Sequence, residues 1–438
     1  MAKNILLVTG SDYSSDVYQA FYDVKKLGHS LFLLSDGSFE PEAGVFEQHF
    51  TYDLRKTKET LDYMKQQNVM FDAVTIKTSE WLTPLTALLV KQYNCIGNEP
   101  IVAFNCRSKY HMRQELEKGG VSIPKFQLCR NYEEILDAIH KIGIPCVAKP
   151  VGGNASYGTF MIQNEEDLES LQENYERSIE YLKKKAIDED VFAFNAEEMD
   201  LIGVNDHVDM ITDYLVEEFM AGSEISVDAL TQNGETTIMG IEDQIRMKPP
   251  YFLQLAAMLP YLCTGEELEE IKVLVSKTVT AMGIKNSASH TEIIFTPEGP
   301  KIVEIGCRIG GDDLHDTILA VTGYNLMFES IMIALGEKRN YDVKTKCHTR
   351  MEFIMPKKAG IITKIDIPDV VKNNSDILNI DLLLHEGDSV GLPPDNFEYI
   401  GYISGKGKTP EDAKKNLQEV LDKIKIEIEG VKLLHLKA

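Results

Sequence analysis

The chain has 438 residues, more than one hydrophobic core usually accommodates, so two or three packed units are expected. Its 45 Lys and Arg residues face 69 Asp and Glu residues, and the formal net charge of -24 disfavours nucleic acids and anionic membranes as partners. The seven cysteines include no Cys-x-x-Cys pair, so we expect neither a disulfide framework nor a structural zinc site.

The sequence also shows no membrane or export signal. No stretch approaches the roughly 18 apolar residues of a membrane helix. The apolar run at residues 5–8 is too short for a signal peptide. We therefore predict a soluble protein of the reducing cytoplasm.

Residues 4 to about 100 alternate strand signals with amphipathic helix signals, which is typical of an open parallel α/β sheet. The first turn, Thr9-Gly10-Ser11-Asp12, lacks the Gly-x-Gly-x-x-Gly fingerprint of dinucleotide-binding proteins, so we predict a Rossmann-like domain that does not bind NAD. The predicted elements are strands at 5–8, 30–34, 71–76 and 94–96 and helices at 17–27 and 82–92.

From about residue 105 to 345, helices alternate with hairpins. The segment 165–213 is acidic and poorly patterned in its middle, which favours a surface loop over a mobile insertion near a site. From residue 351 onward, further strands and a last helix from about 410 to 426 predict a small α+β domain. Thr409 and Pro410 are typical of an N-cap and a first-turn proline at the start of that helix.

A lysine on an apolar strand is the first candidate for chemistry. Lys149 follows the apolar residues 144–148 and precedes a loop, 150–158, that contains three glycines. A buried lysine requires an anion, and glycines allow the backbone amides of a loop to surround phosphates. A simple turn is the alternative interpretation of the loop.

Two adjacent acids, Glu217 and Glu218, interrupt an otherwise apolar strand before a Gly-Ser turn. One interpretation is an edge strand that carries protective charge. The other is a hinge that contacts the adenine base of a nucleotide.

A pair of glutamates lies further along. Glu292 and Glu304 are in β-branched runs that a turn at 296–300 joins, so a hairpin can bring both carboxylates to one side. Mg²⁺ binds one or two carboxylates and completes its shell with phosphate oxygens and water. Two solvent-facing glutamates are the alternative. His290 shares a strand face with Glu292 and is either structural or a substrate contact.

These motifs, in this order and over nearly the whole chain, resemble the ATP-grasp superfamily of carboxylate-amine ligases, above all the bacterial L-amino-acid ligases that make dipeptides. The resemblance implies a multidomain α/β and α+β fold: a Rossmann-like parallel sheet at 1–105, an ATP-grasp domain with a glycine-rich flap at 106–345, and an α+β domain at 346–438. It implies an ADP-forming ligase that activates an amino-acid carboxylate as an acyl phosphate and couples it to an amine. A bicarbonate-dependent carboxylase and an inactive nucleotide-binding module are the alternatives.

The resemblance also implies ATP and Mg²⁺ as cofactors, with two metal ions and with Mn²⁺ as a substitute. The metal ligands correspond to Glu292 and Glu304, and the catalytic pair to Arg308 and Lys149. The substrate contacts correspond to Arg308, Gly310, Gly311 and His290. The nucleotide contacts correspond to Lys109, Lys149, Gly153, Ser156, Tyr157, Gly158, Glu217 through its side chain to adenine, Glu218 and Met220 through the main chain, and Glu224 at the ribose.

Two positions depart from the family pattern. Gly306 replaces a frequent asparagine metal ligand, which leaves the coordination of a second ion open, and Ser108 replaces the aspartate that often precedes the first lysine. The implied partners are small carboxylate and amine substrates. A carrier protein as acceptor and a homodimer stay open.

Overall fold

The computed structural model describes residues 2–153, 158–188, 194–248, 252–392 and 399–430. The chain divides into two compact units. The first consists of Met1–Ile241, Cys263–His315 and Tyr324–Val343, and the second of Glu242–Leu262, Asp316–Gly323 and Lys344–Ala438. The domain boundaries at 105/106 and 345/346 stay predictions.

The first unit begins with a parallel sheet in the strand order β3-β2-β1-β4, as the alternating pattern predicts. Strands β1, β2 and β4 are short and mostly buried, whereas only Phe50 of β3 is buried, and helices connect β1 to β2 and β3 to β4. The elements of this part are β1 (Asn4–Val8), α1 (Ser15–Lys26), β2 (Ser30–Ser35), β3 (Gln48–Thr51), α2 (Thr57–Gln66), β4 (Ala73–Ile76), α3 (Thr83–Gln92), α4 (Pro100–Arg107) and α5 (Lys109–Lys118). The predicted strand at 94–96 is wrong, because Asn94 adopts a left-handed conformation with φ of 55° directly after α3.

An antiparallel sheet in the order β5-β8-β6-β7 follows. The interpretation of 165–213 as a surface loop is wrong: the segment contains two helices, and Met199 and Ile202 of the second helix are buried in the same core as the parallel sheet. An Asn195 capping box starts that helix. The elements are β5 (Phe126–Cys129), α6 (Tyr132–Ile142), β6 (Cys146–Pro150), β7 (Phe160–Ile162), α7 (Leu171–Asp188), α8 (Ala196–Ile202) and β8 (Tyr214–Glu218).

The next strands carry most of the candidate site. The elements are β9 (Ser223–Gln232), β10 (Glu235–Arg246), β11 (Gln254–Leu259), α9 (Gly265–Met282), β12 (Asn286–Thr296), β13 (Gly299–Gly306), α10 (Leu314–Thr322) and α11 (Leu326–Ala334). In the first unit the strand order is β13-β12-β9, followed by residues 235–241 of β10. The predicted hairpin is present: β12 and β13 are antiparallel, with Glu292 opposite Glu304.

The second unit contains residues 242–246 of β10 in the order β10-β11-β14-β18-β16, and a three-stranded sheet in the order β17-β15-β19. The predicted α+β class of the last part of the chain is confirmed. Thr409 caps the last helix by accepting a hydrogen bond from the amide of Asp412 at 3.1 Å, as predicted. The elements are β14 (His348–Ile354), β15 (Gly360–Asp366), α12 (Asp369–Lys372), β16 (Ile377–Leu382), β17 (Ser389–Val390), β18 (Gly401–Gly407), α13 (Pro410–Leu421) and β19 (Lys425–Glu429).

Within the described ranges, no single helix is long and apolar enough to cross a membrane, and α10 and α11 pass that test of length and composition only when the two are counted together across a bend.

Candidate active site

Glu292 and Glu304 form the centre of the candidate site. They are opposite each other on β12 and β13, and directly opposite residues have Cβ atoms about 4.5–5.5 Å apart. Their side chains are 18% and 28% exposed, respectively, so neither lies on an open solvent face. Burial would raise the pKa of Glu304, but Lys109, Lys149 and Arg308 together lower it to about 2. The carboxylate is therefore ionised at neutral pH.

This pair fits a magnesium ion that also binds phosphate. In the part of the chain that the structure describes, no group of three or more His, Cys, Asp or Glu side chains is arranged to hold a metal. A cage made by the protein alone is thus not found among these residues. Two carboxylates are the number that Mg²⁺ takes from a protein when phosphate oxygens complete its shell.

Lys109 connects this pair to the glycine-rich loop. It is the first residue of α5, and its amide donates to the carbonyl of Val151 at 3.0 Å. Its Nζ lies 3.4 Å from Oε2 of Glu304 and donates to the carbonyl of Gly153. Lys109, Gly153 and the carboxylate of Glu304 therefore meet at one point, although 109 and 304 are far apart in the sequence.

The second lysine is held by Glu217. Lys149 lies on β6, and its Nζ is 2.7 Å from Oε2 of Glu217 on β8. Arg113 binds the same carboxylate through Nε at 2.7 Å and Nη2 at 3.3 Å. Burial would raise the pKa of Glu217, but the two cations lower it to about 2. Burial lowers the pKa of Lys149, and Glu217 opposes this effect.

The strand order excludes one of the two interpretations of Glu217 and Glu218. Strand β8 lies between β5 and β6, so the interpretation as a charged edge strand is wrong. Because the Glu217 carboxylate already binds two cations, its contact to adenine stays a prediction. Arg113, which the sequence analysis missed, also donates to the carbonyl of Val303 at 2.7 Å and so ties α5 to β13.

The remaining nucleotide candidates lie around the same strands. Glu218 ends β8, and its Oε1 lies 2.5 Å from Nζ of Lys301. Met220 lies two residues after the end of β8, and Glu224 is near the start of β9. The candidates Ser156 and Tyr157 lie outside the described residues, whereas Gly153 and Gly158 lie within them. The proposed roles of all these residues stay predictions.

Arg308, two residues after β13, is bound by a carboxylate that the sequence analysis missed. Its Nη2 lies 2.6 Å from Oε2 of Glu80, and Nη1 donates to the carbonyl of Ile309 at 3.0 Å. Glu80 follows the carboxyl end of β4, the edge where open α/β sheets bind ligands. The other oxygen of Glu80 is 3.7 Å from Arg107. Burial would raise the pKa of Glu80, but Arg308 and Arg107 lower it.

His290 belongs to a second buried pair. Its Nδ1 lies 2.9 Å from Oδ2 of Asp228 on β9, and Oδ1 of the same aspartate accepts from the amide of Gly310 at 2.8 Å. Nε2 of His290 is 3.9 Å from Glu292. Burial would lower the pKa of His290, but Asp228 raises it. Asp228, another residue that the sequence analysis missed, therefore holds both the histidine and the turn that follows Arg308.

The two glycines of that turn differ. A Cβ on Gly310 would lie closest to Cδ1 of Leu314, and also 2.8 Å from Nδ1 of His290 and 2.9 Å from Oδ2 of Asp228, so a side chain has no room there. A Cβ on Gly311 would meet nothing within 4 Å. Only Gly310 is therefore required by close packing against the pair of His290 and Asp228.

Comparison with known proteins gives matches over most of the chain. The uncharacterized protein y4rH of Sinorhizobium fredii is 21% identical over 348 residues, which cover 79% of this chain and 66% of that protein. The alanine–anticapsin ligase of Bacillus subtilis is 23% identical over 442 residues, which cover 92% of this chain and 88% of that protein.

Solved structures show the same fold. The L-amino acid ligase from Bacillus licheniformis matches with a TM-score of 0.77 at 21% identity, over 98% of this chain and 99% of that chain. The biotin carboxylase domain of the Hydrogenobacter thermophilus 2-oxoglutarate carboxylase, solved with MgADP and bicarbonate, matches with a TM-score of 0.68 at 18% identity, over 98% and 91%.

Two family descriptions match successive parts of the sequence. Residues 142–316 match the ATP-grasp domain, whose proteins bind ATP with Mg²⁺, and residues 352–429 match the L-amino acid ligase C-terminal domain 2. The first match contains Lys149, Glu217, both metal candidates and Arg308. Residues 142–316 therefore match an ATP-grasp domain and residues 352–429 match the C-terminal domain of the L-amino acid ligases, in the same chain.

Proposed function

We propose that the protein is an ATP-dependent ligase that activates the carboxylate of an amino acid as an acyl phosphate and couples it to the amine of a second amino acid, with release of ADP and phosphate. The observation that carries this proposal is the opposed pair of Glu292 and Glu304, with Lys109 between Glu304 and the glycine-rich loop. The likeness to the alanine–anticapsin ligase and the C-terminal domain match support amino acids as substrates.

In this proposal the cations of the site hold the phosphates of ATP. Lys149 is buried and Lys109 is partly buried, they lie on different elements, and each is paired with a glutamate that can give way to a phosphate oxygen. Glu292 and Glu304 would hold Mg²⁺, which would supply offsetting charge for the transferring phosphoryl group. A second ion and the use of Mn²⁺ belong to the proposal as well. Because Gly306 has no side-chain oxygen, a second ion depends on the same two carboxylates and on phosphate.

Arg308 holds the substrate carboxylate in the proposed reaction. A guanidinium presents two parallel N–H donors to a carboxylate, and the same donors can stabilise the oxyanion that forms when the amine attacks the acyl phosphate. Glu80 positions this guanidinium from the edge of the parallel sheet. Gly310 and Gly311 form the turn beside it, and His290, held by Asp228, lies between this turn and Glu292.

The two alternatives have less support. The carboxylase structure matches with a lower TM-score than the amino acid ligase, 0.68 against 0.77, and residues 352–429 match an amino acid ligase domain. An inactive nucleotide-binding module does not require both lysines, both glutamates and the arginine to be retained. The function of a carboxylate-amine ligase accounts for all five.

A phosphate-release screen tests the proposal. The full chain is incubated with Mg-ATP and pairs of amino acids, the spent nucleotide is separated by chromatography, and the product mass is measured. We expect ADP, phosphate and a dipeptide for at least one pair, and none of them with Glu304→Gln. AMP as the main nucleotide would contradict an acyl phosphate, and ADP release that requires bicarbonate would identify a carboxylase.

Three further features of the proposal need their own measurements. The acceptor is a free amino acid and not a carrier protein, which the mass of the product tests. A homodimer is tested by sedimentation of the full chain. A cytoplasmic location is tested by fractionation of cells.

A further inference from the structure

Two buried thiols contact each other next to the arginines of the candidate site. Cys106 is in the last turn of α4, and Cys307 directly follows β13, which packs against α4. The two thiols are close enough for each to shift the pKa of the other, and they are only 4% and 6% exposed. Each cysteine directly precedes an arginine, Arg107 or Arg308, that reaches Glu80.

Cys307 is open to small molecules, although it is buried. It lines a cavity of about 50 Å³, together with Thr83, Thr86 and Ser330. A water molecule needs roughly 10–15 Å³ of such volume. Hydrogen peroxide is only slightly larger than water and fits the same space. Cys106 is not among the residues that line the cavity.

We propose that Cys106 and Cys307 are an oxidation site, at which a hydroperoxide converts the two thiols into a disulfide that reversibly inactivates the ligase. In the first step the Cys307 sulfur attacks hydrogen peroxide, an S–O bond forms, the O–O bond breaks and hydroxide leaves as water after protonation. In the second step the Cys106 sulfur attacks the resulting sulfenic acid, the S–S bond forms and the S–O bond breaks. Two thiols and one peroxide thus give one disulfide and two waters.

The electrostatics of the pair assign the order of these steps. The neighbouring Cys106 thiol lowers the pKa of the Cys307 thiol, although burial raises it. The Cys307 thiol and burial together raise the pKa of Cys106 well above its ordinary value. Since the thiolate is the nucleophile, Cys307 reacts with the peroxide and Cys106 resolves the product.

The disulfide lowers turnover by displacing the neighbouring arginines. A disulfide holds its sulfurs about 2 Å apart, which is much closer than two thiols that are not bonded to each other. Closing this gap moves the backbone beside Arg107 and Arg308, and these side chains bind Glu80 from both sides. A misplacement of about 1 Å in a catalytic arrangement can cost about a hundredfold in rate. Oxidation should therefore lower turnover by at least about tenfold.

The test treats the full chain with hydrogen peroxide and maps its peptides by mass under non-reducing conditions. We expect a linked peptide that contains Cys106 and Cys307, at least a tenfold loss of phosphate release, and recovery of both after dithiothreitol. The mapping needs no activity, so its outcome is independent of the proposed function. Loss of activity without the linked peptide, or the linked peptide with full activity, would overturn the proposal.

Matched variants sharpen the result. Cys106→Ala should keep the basal activity and form no linked peptide. If this variant does not fold, Cys106→Ser is used in its place. Cys146→Ala removes an equally buried thiol from β6 and should respond to peroxide as the wild type does. A linked peptide between other cysteines in Cys106→Ala, with the same loss of activity, would also overturn the assignment.

Discussion

Three acids of the candidate site, Glu217, Glu304 and Glu80, are matched by cations from other elements of the fold. Arg113 and Lys149 bind Glu217, Lys109 binds Glu304, and Arg107 and Arg308 bind Glu80. The chain carries a net charge of -24, so these local cations act against the field of the whole protein. A phosphate ligand must therefore be bound by this cluster and not by the general surface.

The ion pairs of Glu217 predict a large stability effect. Glu217→Gln leaves Arg113 and Lys149 buried without a counter-ion, and breaking a buried pair in this way costs roughly 3–5 kcal/mol. Glu269→Gln is the control, because Glu269 and Lys272 are both exposed and such surface pairs contribute under about 1 kcal/mol. Urea unfolding of both variants measures the difference. Equal losses would show that Glu217 is not a buried ion-pair residue.

The same residue predicts a pH dependence. The pKa of Glu217 is about 2 in the folded protein and near its ordinary value of 4.5 in the unfolded chain. The unfolded chain therefore binds more protons between these values, so the stabilisation is complete above about pH 4.5 and is lost as the pH falls towards 2. The difference in stability between the wild type and Glu217→Gln should shrink over this interval. A constant difference would contradict the lowered pKa.

Arg308 allows binding and catalysis to be separated. Arg308→Lys keeps the positive charge but loses the two parallel donors, so turnover should fall at least about tenfold while the affinity for Mg-ATP changes little. Calorimetry with Mg-ATP and steady-state rates with the best amino-acid pair measure the two effects. Equal losses in both would assign Arg308 to the triphosphate, and no loss in either would make it a structural partner of Glu80.

Polar contacts connect several elements of the site: strands β9 and β12 and the turn after β13. Asp228 of β9 accepts from the amide of Gly310 and binds His290 of β12. A change in the turn is therefore transmitted to the histidine that lies beside Glu292.

This connection predicts opposite outcomes for two adjacent glycines. In Gly310→Ala the new Cβ would press on His290 and Asp228, whose mutual hydrogen bond prevents them from moving apart freely, and overpacking of this kind costs about 1–3 kcal/mol. Gly311→Ala meets nothing within 4 Å and should leave the melting temperature nearly unchanged. Thermal unfolding of both variants tests this. A similar melting temperature for the two would contradict the close packing at Gly310.

Local sequence patterns predicted most helices and strands, but they could not predict ion pairs between residues that are far apart in the sequence. The hairpin of β12 and β13 and the capped start of α13 follow from alternation, turn residues and capping residues within a few positions. The partners of the site do not, since Glu80 and Arg308 are 228 positions apart and Arg113 and Glu217 are 104 apart. Such pairs depend on the three-dimensional packing of elements that have no common sequence signal.

The whole molecule predicts a strict requirement for a divalent metal. Only two carboxylates of the described site are arranged for the ion, so the ion also depends on oxygens of the nucleotide. A chelator should therefore lower turnover by at least about a hundredfold. Added Mg²⁺ should restore the rate, and the same titration with Mn²⁺ tests the substitution. Turnover that persists in excess chelator would remove Glu292 and Glu304 from the reaction.

The ion pair between Lys109 and Glu304 has a thermodynamic consequence for the binding of metal and nucleotide. A phosphate oxygen must compete with Glu304 for Lys109, and a metal ion must compete with Lys109 for Glu304. Phosphate that binds Lys109 frees Glu304 for the metal, and a metal that binds Glu304 frees Lys109 for phosphate. Metal and nucleotide therefore bind with positive cooperativity, and by linkage each raises the affinity of the other by the same factor.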